Sequence, residues 1–584
     1  MALLPKMNNE YAERVVTDVF AGYNHKAKIA DGEFYTTTNL TSALYPLLAN
    51  RIKRGHVRAL KAPGGLLAKE KLAFVEEGTL WYDGAPTPLT GLADGEKQLV
   101  SMGAYIVVFP DRQYYNTADP ADFGSTEAVY TSAGAVEYSL CRADGSEYPE
   151  SAVSDTAPGN PADGALWIDS SAQPHTLRRW SAAMGEWSAV PTVYTRLRFI
   201  SEGELPQLFA RHDGVTISGA AVPGIDGDRV IEAIGGGDGT LDYIVVTGLL
   251  EQALTQTEGT VRIERRTPEM DFVIECRNRL WGCRYGSEDG KNLNEIYCSA
   301  LGDFKNWRQY MGLSTDSWTA SVGSDGPWTG AVNYLGYPMF FKENRIHRIS
   351  VSPVGAHQIT ETVCRGVQAG CAKSLQVVNE TLLYKSRADI CAYQGGFPES
   401  ISDALGGELY GAAAAGVLGE RYYISMQNAS GAWDLFVFDL RRGIWMREDD
   451  LHADCFATLG DELYCIADGA LLALAGTVGT PEPFVEWEAE TGMLGYQMPD
   501  RKYVSRYRLR LYMEEGAQLD VYLMYDSSGE WIHQGSIRQK GTGSVTLPIR
   551  PRRCDHLRIR LAGRGDVRLY SIAKILTMGG DGGC

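Results

Sequence analysis

Three observations predict an all-β chain: a β-propeller of about six to seven blades, with an inserted small β-domain and a C-terminal antiparallel β-sandwich. Glycine is over-represented, 65 of 584 residues where ~7% is usual, with 31 tyrosines and 12 tryptophans beside it. Asp-Gly occurs twelve times between Asp31 and Asp581, and it supplies the positive-φ residues that tight hairpins need. A phrase of apolar run, Gly or Asn, and second apolar run recurs with turn residues Gly78, Gly103, Asn278, Gly336, Asn379, Gly419 and Gly460. From Gly336 onward these lie 43, 40 and 41 residues apart. A period near that length with several strands per unit belongs to propeller blades, each of which buries its faces only against its neighbours.

Residues 1–62 read as an N-terminal arm. Its first 20 residues and 41–52 are the only windows with helical periodicity, and Arg51, Lys53, Arg54 and Arg58 make a local basic cluster. Residues 63–123 begin the propeller with FVEEGTLWY at Phe74 and VSMGAYIVV at Val100. The period then breaks. Residues 124–266 are expected as an inserted β-rich domain, with a short Trp-containing module at 156–190 and strands around Asp213-Gly, Asp226-Gly and Asp238-Gly. Such an excursion is tolerated because each doubling of loop length costs only about 0.6 kcal/mol. Residues 267–480 resume the propeller. Two echoes accompany it: 114–123 resembles 296–307, and 433–445 has the form of the outer half of a kelch-type blade. Residues 481–584 close the chain with six segments alternating on a period of two, as half-buried antiparallel strands do; they predict the sandwich.

Charge divides the same way. Between 500 and 578 there are 15 Lys and Arg against 8 Asp and Glu, net +7, which leaves −25 for the rest of a chain whose total is −18. That balance excludes wrapping of nucleic acid, which depends on cations displacing counterions from phosphate. A basic end on an acidic body predicts docking to a neighbour, so the interface candidates are Arg51, Lys53, Arg54 and Arg58, together with Arg506, Arg508, Arg510, Arg552, Arg553 and Arg558. No catalytic or metal-binding pattern is complete. His-Glu-x-x-His, Gly-x-Ser-x-Gly and a phosphate loop are absent, and Ser324-Asp-Gly-Pro-Trp328 only partly mimics a sialidase aspartate box. No catalytic residue, cofactor or metal is therefore expected. The 11 cysteines are scattered, none in Cys-x-x-Cys, and are expected as buried thiols. No secretion signal and no apolar run of membrane-spanning length is seen, so cytoplasmic synthesis without membrane insertion is expected.

Several phrases carry a family resemblance. The opening Asp31-Gly-Glu-Phe-Tyr, the blade phrases Asn278-Arg-Leu-Trp-Gly-Cys and Gly336-Tyr-Pro-Met-Phe-Phe-Lys-Glu-Asn, and the tail Leu547-Pro-Ile-Arg-Pro-Arg-Arg-Cys-Asp-His-Leu resemble stabilisation proteins of tailed bacteriophages, similar to the tail nozzle of short-tailed phages. The resemblance implies a non-catalytic virion tail protein forming a ring, commonly of six copies, below the portal and adaptor. Tail fibres or tail-tip proteins would be further partners, and genomic DNA would pass without sequence-specific binding. The competing class is a carbohydrate-binding or carbohydrate-cleaving propeller of a phage tail, with exposed Trp and Tyr stacking on sugars.

Overall fold

The structure, a computed structural model, describes residues 12–578 except 150, 238, 289, 353–354, 497–500 and 551. Among them the chain is all-β, with a single four-residue α-helix at Leu205–Leu208. Seven antiparallel arrays of four strands recur. Sheet one comprises Pro63–Ala68, Leu72–Glu76, Thr79–Tyr82 and Ala85–Pro86; sheet two, Gln98–Met102, Tyr105–Phe109, Gln113–Asn116 and Phe123–Ser125. Sheet three is Phe272–Glu275, Leu280–Glu288, Lys291–Cys298 and Trp318–Ser321; sheet four, Gly330–Tyr334, Tyr337–Lys342, Arg345–Val351 and His357–Val363. Sheet five is Gln376–Val378, Thr381–Lys385, Ile390–Tyr393 and Glu399–Ser400; sheet six, Ala413–Leu418, Arg421–Gln427, Trp433–Asp439 and Ile444–Arg447, is one end of a ten-stranded sheet that runs on through Gly22–Tyr23 and Glu33–Thr38 into Glu486–Thr491. Sheet seven takes Ala453–Leu459, Glu462–Ala467 and Ala470–Ala473 from late in the chain and its fourth strand, Gly55–Ala59, from the beginning.

The turn chemistry read from the sequence positions these arrays. All seven turn residues have positive φ, from +43° at Asn379 to +81° at Gly336, a conformation that Gly and Asn adopt at least strain. Six lie between the first and second strands of sheets two to seven, and Gly78 lies between the second and third strands of sheet one. First strands pack in sequence, sheet one on two, two on three, three on four, then six on seven and seven back on one. Sheets four and five meet through the turn Ala372–Ser374, and Gln376–Val378 packs on Ala413–Leu418. One cavity of ≈ 260 Å³ touches the first strand or its lead-in from all seven. The two echoing segments pack together, the Phe304 ring lying 5.3 Å from Tyr114.

The inserted domain leaves sheet two and rejoins before sheet three, its ends tied by a 2.8 Å hydrogen bond between the Thr126 and Thr267 hydroxyls. Two sheets, Ala128–Thr131/Arg262–Arg265/Gly214–Ser218/Gly227–Val230 and Ala233–Gly237/Thr240–Thr247/Tyr194–Arg198/Val136–Cys141/Leu254–Gln256, enclose a core that includes Tyr138, Phe199, Val215, Ile244 and Ile263. The Trp-containing module is nested within this domain, between Val136–Cys141 and Tyr194–Arg198. It is a small sheet in which Trp180 faces Trp187.

The C-terminal strands form as the alternation predicts. One layer is Gly541–Pro548, Lys502–Met513 and Val567–Met578; the other is Ile532–Ile537, Gln518–Tyr525, Leu557–Arg564 and Glu486–Thr491. Residues 12–50, expected within an arm with helical windows, instead supply strands that complete this sandwich, and Gly55–Ala59 completes sheet seven. Ala12–Thr17 and Leu48–Asn50 pair with Val567–Met578, and Glu33–Thr38 pairs with Glu486–Thr491. Phe20, Phe34, Leu40 and Leu48 enter the sandwich core. Open strand edges and a core to fill outweigh a weak local helical pattern, while residues 1–11 lie outside those described. Lys574, buried, is held by both carboxylate oxygens of Asp31 at 2.6 and 2.7 Å and by the Thr17 hydroxyl at 2.8 Å.

Candidate functional site

The ten basic candidates separate into engaged and open groups. Arg51 and Arg54, 7% and 5% exposed, serve the interior. Arg54 Nη2 is 2.7 Å from the Glu448 carboxylate and Nη1 is 2.6 Å from Asp449, while Arg51 Nη1 is 2.8 Å from Glu482. Arg58 pairs with Glu76 at 2.6 Å and stacks 3.9 Å from the Trp81 ring, and Arg558 pairs with Glu490 at 3.0 Å and covers Tyr35. These four are held within the chain because the strands beside them bring carboxylates from distant segments into contact. Lys53, Arg552 and Arg553 remain exposed, Lys53 near the Phe484 ring and Arg552 near Tyr525.

Arg506, Arg508 and Arg510 form the open group. In Lys502–Met513 the pleat turns Tyr507, Leu509 and Leu511 into the core and the three arginines outward. Across the ladder they face Pro548, Thr546 and Ser544 on one side and Ile575, Ala573 and Ser571 on the other. Among the described residues no acid pairs with any of the three. Arg14, opposite Ile575 on the next strand, extends the row. Sequence reasoning missed it, because only the pairing of the chain's two ends brings it there.

A second feature was not foreseen. Between the inserted domain's strand Arg262–Arg265 and the third strand of sheet three opens a cleft of ≈ 620 Å³, lined by six basic and six acidic side chains. Many are already paired: Arg112 with Glu127 at 3.1 Å and Glu269 at 3.4 Å, Arg308 with Asp228 at 2.8 Å, and Arg262 and Arg266 both with Glu264. Tyr297 lies on its floor, its phenol pushed well above the ordinary range by burial and by the neighbouring Glu295. Tyr310 stands at the rim, 51% exposed. The loop carrying Arg308 and Tyr310 is fixed from below by buried Arg279, which donates to the carbonyls of Ser299, Asp316 and Ser314 at 2.8, 2.7 and 2.7 Å. Asn306 ties that loop to the inserted domain, accepting from Gly214 N–H and donating to the His212 carbonyl, both at 2.9 Å.

The partial aspartate box folds into an interior contact. The Ser324 hydroxyl lies 3.0 Å from His347 Nε2, and a Glu361 oxygen lies 3.2 Å from the same nitrogen. A nucleophile relay needs the serine and the orienting carboxylate on opposite ring nitrogens, and here both lie at Nε2. His347 is fully buried, which lowers its pKa. Beside it Lys342, 1% exposed, donates to Asn294 Oδ1 at 3.0 Å and the Ser324 carbonyl at 2.6 Å, with its ammonium 4.6 Å from the Trp328 ring. The ten described cysteines are free thiols, eight of them buried. Among the described residues no group of three or more His, Cys, Asp or Glu is placed to hold a metal ion, and no helix is long and apolar enough to cross a membrane.

No protein-family model matches the chain, and no curated protein matches it. Solved structures similar to it include the sialidase of Trypanosoma rangeli, at 9% identity and TM-score 0.21 over 98% of this chain and 96% of that one. Another is the exo-β-1,3-galactanase of Phanerochaete chrysosporium, at 9% identity and TM-score 0.21 over 52% of this chain and 94% of that one. Likenesses at that level carry no argument about fold or chemistry.

Proposed function

We propose that this chain is a non-catalytic structural protein of a bacteriophage tail, a ring-forming nozzle subunit below the portal and adaptor, built on a closed propeller of seven blades. The observation that carries the assembly role is the row Arg14, Arg506, Arg508 and Arg510, which no acid pairs among the described residues. A chain with −25 outside its basic end offers complementary charge on the next copy, and such complementarity sets register and encounter rate. Support for the propeller comes from the seven four-stranded arrays, the packing of first strand on first strand at every junction except that of sheets four and five, and the cavity they share. The strand Gly55–Ala59 would then close the circle by completing the last blade with the first part of the chain.

In this reading DNA does not run through the propeller itself. Its central cavity is ≈ 260 Å³, and the Lys373 ammonium reaches across it, 3.1 Å from Glu96 and 2.8 Å from the Asp454 carbonyl. A duplex whose major groove alone is about 12 Å wide must pass between copies, where acidic surface repels phosphate and lets it slide. Portal, adaptor and tail fibres or tail-tip proteins are the remaining partners of this proposal, and the virion tail is its location. The competing carbohydrate-binding or carbohydrate-cleaving propeller is favoured by one observation, the cleft beside sheet three.

Electron microscopy of the purified protein tests the proposal. Closed rings with a lumen wider than a duplex are expected, and the combined Arg506→Glu, Arg508→Glu and Arg510→Glu variant should yield folded monomers with an unchanged melting profile. Normal rings from that variant remove the docking role. Monomers in solution together with monomers on intact tails would end the nozzle proposal.

A further inference from the structure

We infer that the cleft between the inserted domain and sheet three binds a neutral oligosaccharide. The inference deepens the carbohydrate-binding reading and rests on it, and it is compatible with ring assembly. Charge balance is the starting point: six basic against six acidic side chains line the cleft of a chain whose net charge is −18. Walls of mixed sign produce little net field, so they do not concentrate ions as single-sign clefts do. What they present is direction. A guanidinium carries five donors and a carboxylate about four acceptor sites, and the Arg308–Asp228 and Arg112–Glu127 pairs use only part of that capacity while fixing the side chains. Alternating fixed donors and acceptors match the hydroxyls of a polyol. An acidic ligand at Arg112, Arg262, Arg266 or Arg308 would instead have to displace a carboxylate from its arginine, leaving that carboxylate unpaired.

The remaining requirements of a sugar site are met by the aromatic residues and the frame. Tyr310, exposed at the rim, offers a flat apolar face with a polar tip, and half-buried Tyr297 lines the same cleft; tyrosine orders at small entropic loss. Arg279 and Asn306 hold the loop that carries Tyr310 before any ligand arrives, which reduces the ordering penalty of binding. The volume of ≈ 620 Å³ falls within the ordinary range for ligand sites.

The test is a glycan array of neutral and acidic microbial glycans probed with the full-length protein, then calorimetry with the best-bound neutral oligosaccharide. Neutral glycans are expected to bind. Tyr310→Ala and Arg308→Ala should each weaken binding about tenfold, with melting profiles matching the parent, while Tyr310→Phe binds as the parent does. Preference for acidic glycans overturns the ligand class. An array with no bound glycan overturns the carbohydrate reading altogether. Binding that survives both alanine variants but is lost in Trp180→Ala leaves a carbohydrate-binding chain and moves its site to the tryptophan hairpin, which overturns the assignment of the cleft.

Discussion

Replacing Arg54 by alanine should open the seam where the beginning of the chain completes sheet seven. Arg54 immediately precedes the closing strand Gly55–Ala59, and its guanidinium is shared between Glu448 at 2.7 Å and Asp449 at 2.6 Å. Arg51 is the nearest substitute cation, but it stands 3.9 Å from Glu448 and 3.7 Å from Asp449 and is already committed to Glu482. The variant therefore leaves two inward carboxylates with one distant partner. Breaking a buried pair from one side costs about 3–5 kcal/mol. The loss should also depend on pH in a defined direction. Burial already raises the pKa of Glu448 against the pull of Arg54, and removing Arg54 raises it further. A carboxyl whose folded pKa exceeds its unfolded value contributes stability below the unfolded pKa that is lost as pH rises through the folded one. The deficit should thus be larger near pH 8 than near pH 5. Scanning calorimetry of the parent, Arg54→Ala and the double variant Arg54→Met/Glu448→Leu measures it. A chain of this size need not unfold in one step, so the lowest transition is the observable. The double variant should recover part of the loss, since an apolar pair can replace a buried ionic one, while Asp449 keeps only Arg51 at 3.7 Å. An Arg54→Ala protein within about 1 kcal/mol of the parent, or a deficit independent of pH, would refute the reasoning.

Two further outcomes follow from the geometry. A methyl group at Gly563 would sit 2.0 Å from the Trp487 indole, so Gly563→Ala should destabilise the sandwich by about 1–3 kcal/mol through overpacking, read as a lowered transition in calorimetry. His347, whose pKa burial lowers, is kept neutral by the fold, so the unfolded chain takes up protons first as pH falls below about 6.5. The melting temperature should drop between about pH 7 and pH 5, and His347→Gln should flatten that dependence; an unchanged slope would assign the acid sensitivity to other groups.

How far the sequence reaches can be followed residue by residue. The turn positions Gly103, Asn278, Gly336, Asn379, Gly419 and Gly460 were legible because positive φ is a local requirement that few residues satisfy, and each falls between the first two strands of its sheet. Alternation in Lys502–Met513 likewise determined that Arg506, Arg508 and Arg510 share a face, since the pleat has a period of two. Arg51 and Arg54 show where that reach stops. As a string they are a basic cluster; in the structure they neutralise carboxylates 394 to 431 positions away, because the closing strand had to be brought to sheet seven from the other end of the chain.

The cleft shows the same division. Its side chains come from sheet two, the inserted domain and sheet three, and neither the six-to-six balance nor the meeting of Tyr297 and Tyr310 in one cleft has any expression in a single stretch of residues. By itself the sequence determined strand periodicity, turn geometry, the inward and outward faces of each strand and the split of charge along the chain, all of which are set by backbone conformation within a few residues. Tertiary structure alone decided which strands pair across hundreds of residues and which charges meet. Those outcomes depend on edges, partners and volumes that exist only once the sheets are assembled, and they are what turned an expected helical arm into strands of a sandwich.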